Sequence, residues 1–104
     1  MSARAAIQAA AVARAAAASV CLRAGVAPAE VVRLARLAMN AARGAAAAER
    51  DATQAAITAE RALTRRMRST ALLIEDSSRA TAQRCAESAL RLSDEAILSL
   101  RGTL

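Results

Sequence analysis

The chain has no Phe, Trp, Tyr or His, and its fifteen positive charges are all Arg, so Lys is missing as well. Each gap removes a chemistry. Without His there is no imidazole to act as general base or to activate a thiol. There is also no Glu-x-x-His pair of the kind that holds two metal ions inside a helical bundle. Without Lys the chain cannot form a Schiff base, and without aromatic rings it has no aromatic platform for stacking a nucleic-acid base. The only Gly residues are Gly25, Gly44 and Gly102, so there is no Gly-rich phosphate loop. Cys21 and Cys85 are the only cysteines. Two thiols alone cannot make a four-ligand metal site, and their spacing resembles no disulfide framework. They fall on different predicted helices, where each reads as a free, small apolar side chain. The nine acids read as helix-terminal or surface residues. No enzymatic activity and no cofactor are expected.

What fills the chain is Ala, at 33 of 104 positions. The hydrophobic share of 56% therefore overstates the core, because only 23 residues are Val, Ile, Leu or Met. A large side chain contributes roughly 1.5–3 kcal/mol when fully buried, so the core is modest. Ala has the highest helix propensity and lets helices approach closely. The net charge of +6 is compatible with attraction to nucleic acid, an anionic surface or an acidic protein. It also lies in the ordinary range of ~2–8 for a small soluble domain.

In chain order, Ser2 is placed to cap a first helix over residues 3–24. Its expected inner seam is Ile7, Ala11, Ala15, Ala18 and Leu22. No acid precedes Glu30, and Arg, Ala and Ser dominate, which is the composition of a mitochondrial presequence. The polar residues do not gather on one face, however, and an ordinary bundle helix is expected. Arg14 splits the apolar run, which excludes a secretory signal. The longest uncharged run, Ala5 to Ala13, is far short of the ~20 residues a membrane span needs. Gly25 suits the end of this helix, Val26 its closing apolar contact, and Pro28 the first position of the next. Glu30 then faces the positive end of the second helix dipole.

The second helix buries Val31, Leu34, Ala35, Ala38, Ala41 and Ala42. Arg33, Arg36, Asn40 and Arg43 line its opposite face, a basic stripe fit for a phosphate backbone or an acidic partner, or simply solvated. Gly44 is one candidate stop. Asp51 with Gln54 has the spacing of a capping box, and length matching favours a break at Arg50-Asp51. A helix running on through this region is the alternative; it would leave the first and last helices on different halves, in a dimer.

From Asp51 the apolar stripe is Ala52, Ala55, Ala56, Ala59, Ala62, Leu63, Met67, Thr70, Leu73 and Ile74. Arg65, Arg66 and Arg68 crowd the second half of this helix as a basic cluster, with Arg66 at the stripe's edge. Glu75-Asp76-Ser77-Ser78 then reads as a turn that caps a last helix. That helix carries Ala82, Cys85, Ala86, Ala89, Leu92, Ser93, Ala96 and Leu100 inward, carries Arg84, Glu87, Arg91, Asp94 and Glu95 outward, and ends at Gly102.

The expected fold is therefore all-α: one domain over residues 1–104, an antiparallel up-down four-helix bundle with an Ala-rich core. Its helices fall at about 3–24, 28–49, 52–75 and 78–101. Near-equal helix lengths and the Gly-x-x-Pro-x-Glu connection at Gly25 to Glu30 make the chain resemble de novo designed, reduced-alphabet helical bundles. A GC-rich genome is the other source of so much Ala and Arg. The resemblance implies a non-catalytic scaffold, with Asn40, Thr70 or Ser93 as polar contacts should its Ala-rich interior enclose a small molecule. Two other readings stay open. One is a small basic interaction protein from a GC-rich bacterium, binding nucleic acid or an acidic partner through Arg33, Arg36 and Arg43 or through Arg65, Arg66 and Arg68. The other is a homo-oligomerisation module using Leu37, Ile57, Leu72, Leu90 and Leu98. A natural or bacterially expressed chain of this kind would be cytoplasmic.

Overall fold

The computed structural model describes residues 3–24 and 29–103, with side chains for residues 3–15 and 29–101. Ser2, Gly25, Val26, Ala27 and Pro28, and the side chains of Ala18, Val20, Cys21, Leu22 and Arg23, lie outside the described residues. The chain is all-α. Helix α1 spans Ala3–Ala24, α2 Ala29–Glu60 and α3 Arg65–Thr103, and there is no strand among the described residues.

Among the described residues, three helices replace the expected four. Helix α2 passes through both Gly44 and Asp51 without a break. The reason is a single seam at seven-residue spacing, Val31, Ala38, Ala45, Ala52 and Ala59, every member of which is buried. A stop at residue 50 would have turned the last two positions out of register. Asp51 is therefore an exposed mid-helix residue, not a cap. Gly44 tolerates its place because it faces α3 closely: a Cβ built there would lie 3.4 Å from Cys85 Sγ.

The break comes at residues 61–64. Ala62 N–H donates to the Ala59 carbonyl at 3.3 Å, a tightened last turn. Thr64 then caps α3: its Oγ1 accepts from Met67 N–H at 3.1 Å, three residues on, as an N-cap does. The turn expected at Glu75-Asp76-Ser77-Ser78 is also helical. There Arg79 reaches back one turn to Glu75 at 2.8 Å, and Thr81 Oγ1 donates to the Ser77 carbonyl at 3.0 Å. Both contacts need an unbroken helix. At its far end α3 runs through Gly102 to Thr103, so Gly102 does not stop it.

Helices α2 and α3 form a long antiparallel hairpin, and α1 lies along one side of the half where the hairpin is open-ended. The seam of α1 differs from expectation. Ala3, Ala6, Ala10 and Ala13 are buried, while Ile7 is 40% exposed, and Ala11 and Ala15 also face out. The smallest side chains win because they let α1 settle against Ala38, Ala42, Ala45, Ala86 and Ala89 in one Ala cluster. Farther along, Ala13 packs with Leu34, Ala96 and Leu92. The inward and outward faces expected for residues 31–42 and 82–100 are as observed. The molecule is a rod of 61 × 17 × 17 Å, about as long as the 39 residues of α3 at 1.5 Å rise each.

Candidate functional site

Two tiers of packing divide the rod. Ala3 N–H donates to Glu49 Oε1 at 3.0 Å, which fixes the described start of α1 at the level of Glu49. The carboxylate also serves an orphan N–H at the positive end of the α1 dipole. Beyond that level, among the described residues, α2 and α3 continue as a bare pair to the turn at 61–64.

The stripe expected to bury Leu63, Met67, Thr70, Leu73 and Ile74 lies on this bare end, and the structure exposes all five. Leu63 is 93% exposed and Leu73 71%, with Met67, Leu72 and Ile74 near one half. Only Ala52, Ala55, Ala59 and Ala71 are buried there. The aliphatics surround α3 instead of marking one face, so a two-helix end cannot cover them.

Between the two helices runs a groove of about 660 Å³, lined by Met67, Thr70, Ala71 and Ile74 of α3 and by Gln54, Ala55 and Thr58 of α2. Arg66 stands at one end of it, and Asp51 with Ser78 at the other. This groove is on the face where Gly44 meets Cys85. A second groove, about 490 Å³, opens on the other face between Ala56, Ala59 and Glu60 of α2 and Arg68, Leu72 and Glu75 of α3.

The two basic candidates separate in space. Arg33, Arg36, Asn40 and Arg43 are exposed along the outer face of α2 in the half covered by α1. Arg33 already holds Glu30 at 2.6 Å. That hydrogen bond and the guanidinium charge keep the Glu30 carboxyl below its ordinary range and raise Arg33 in turn. Part of this face is therefore internally neutralised. Arg65, Arg66 and Arg68 are also exposed, but they sit at the apolar end, beside Leu63 and Met67 and next to Arg61. Neither Asp51 nor Arg66 is in an ion pair among the described residues.

Of the aliphatics expected to mediate contacts, Leu72 reaches the bare end and Ile57 is half-buried there. Leu37, Leu90 and Leu98 lie in the covered half, where Leu98 is 63% exposed. Sequence reasoning missed Leu63, Met67, Leu73 and Ile74 as surface residues. The signal was present in Ala71-Leu72-Leu73-Ile74, a run that exceeds what one face of a helix accommodates.

The polar residues considered for an interior ligand contact do not converge. Asn40 and Thr70 are exposed, and buried Ser93 donates its hydroxyl to the Ala89 carbonyl at 2.6 Å. No three metal-ligating side chains come together among the described residues. Cys85 is free and half-buried, while the side chain of Cys21 lies outside the described set. Among the described residues, no helix is long and apolar enough to cross a membrane. No family model, curated protein or solved structure matches the chain.

Proposed function

We propose that this chain is a non-catalytic helical scaffold that presents the bare end of its α2–α3 hairpin as a docking surface for further helices. The observation that carries the reading is a groove between the two helices lined by half-exposed Met67 and Ile74, at a helix end that also exposes Leu63 and Leu73 and, on the opposite face, Leu72. Contiguous exposed aliphatics mark contact surfaces; scattered ones do not. The resemblance to designed bundles supports the same reading, since such chains are made to fold and to pack. A partner that supplied two helices would make a local four-helix packing at this end, distinct from the single-chain four-helix bundle expected from the sequence.

The exposed Arg61, Arg65, Arg66 and Arg68 favour the basic-interaction reading as a second one, since all four lie on this end. Without an aromatic ring they would hold a polyanion by charge alone, with the steep salt dependence that follows.

Replacing Met67, Leu73 and Ile74 together by Ser tests the proposal. On a docking surface, the monomer keeps its helicity and its cooperative unfolding, while binding of any helical partner is lost. Loss of cooperative unfolding in the monomer would instead make these side chains part of the core.

A further inference from the structure

The groove at the hairpin end has opposite charges at its two ends, and this selects the occupant. Gly44 lies beside Cys85, which sets the antiparallel register of α2 and α3 and brings Asp51 level with Ser78. Arg66 is twelve residues from Ser78 along α3, roughly 18 Å at 1.5 Å per residue. The groove therefore has a guanidinium at the tip, a carboxylate about 18 Å away, and Met67, Ala71 and Ile74 between them. The surroundings lean the same way: Arg61 and Arg65 join Arg66 at the tip against Glu60, while at the other end Glu49, Asp51, Glu75 and Asp76 outnumber Arg50 and Arg79.

We propose that this groove takes the hairpin end of a second copy of the chain, antiparallel and related by a two-fold axis through the middle of the groove. Such an axis exchanges the groove's ends, so Arg66 of each copy lies over Asp51 of the other. A surface with one charge at each end and an apolar centre is its own complement under that operation, which is what an isologous interface requires. The overlap brings four helices together, so Met67 and Ile74 of both copies meet in the centre. A polyanion would suit the Arg tip but would meet Asp51 in the groove with no aromatic to stack on.

The inference rests on reading the hairpin end as a docking surface, and the test separates the two. Sedimentation equilibrium on the full chain, up to millimolar concentration at moderate salt, is run on wild type, R66D, D51R and the D51R/R66D double variant. Circular dichroism checks helicity for each; both sites are exposed, so the fold is kept. Wild type is expected to be a reversible dimer. Each single reversal places like charges together at two symmetric contacts and weakens it about tenfold. The double variant regains wild-type affinity, and so does an equimolar mixture of the two singles, because every contact then joins unlike charges. Within one copy the residues are ~18 Å apart, beyond a Debye length, so such rescue acts between copies. A wild type that stays monomeric, with or without bound nucleic acid, overturns the proposal. A dimer indifferent to R66D but dispersed by M67S/I74S overturns the antiparallel register while leaving the docking end in place. A dimer indifferent to both overturns the docking end as well.

Discussion

At the scale of single residues, the molecule is governed by how little room its interior leaves. Of the twenty buried hydrophobic residues among those described, all but Val31, Leu34 and Leu100 are Ala. Enlarging one of them inserts atoms where helices already touch. Ala45→Leu, at a position with no exposure, should destabilise by about 1–3 kcal/mol, measured by urea unfolding of dilute protein. Gly44→Ala should do the reverse. The new methyl meets Cys85 Sγ at 3.4 Å, the tight edge of ordinary contact, and Ala is better than Gly within a helix by up to about 1 kcal/mol. A rise of a few degrees in Tm is expected, and a fall would show that Cys85 cannot give way. The Glu30–Arg33 pair sets a small pH response. Glu30 has its carboxyl lowered on folding, so its contribution is present at neutral pH and is lost as pH falls through the carboxylate range. Glu30→Gln should flatten that part of the acid-unfolding curve.

At the scale of elements, where each helix ends decides the architecture. Thr64→Ala removes the acceptor for Met67 N–H and should cost ~1 kcal/mol. Asp51→Ala should change monomer stability by less than ~0.5 kcal/mol, since Asp51 caps nothing. The opposite ranking in urea unfolding would restore a break at residue 51. All-α class, the full extent of α1 and the faces over residues 31–42 and 82–100 were legible from propensity and 3.6-residue periodicity. The helix ends were not. Asp51-Ala52-Thr53-Gln54 has the composition of a cap, yet it lies inside a buried seven-residue repeat, and tertiary packing overrides a local signal worth about 1 kcal/mol. Ala62-Leu63-Thr64, the real turn, has neither Gly nor Pro and continues the apolar period, so nothing local marks it. In α1, Ala covers most of the circumference, and Ile7 drew the expected seam away from the smaller residues that pack. Arg65, Arg66 and Arg68 are exposed, Arg66 although it stands at the edge of the expected apolar stripe, and their place at an apolar end depends on the turn and could not be found without it.

At the scale of the whole molecule, the chain is a rod with one covered half and one bare half. A shorter α1 leaves the hairpin end with more apolar surface than two helices can bury, and self-association through that end would cover it. Small-angle scattering over a dilution series tests this most directly. At high dilution, a particle near 61 Å in length is expected. Four helices of some 24 residues would instead give a bundle of roughly 36 Å at 1.5 Å per residue. As concentration rises the particle should lengthen to roughly 100 Å, two 61 Å rods overlapping by ~20 Å of helix, with its girth increasing only at the centre. A compact particle of roughly 36 Å at every concentration would contradict the unbroken α2 and α3, and with them the bare end on which the proposed function stands.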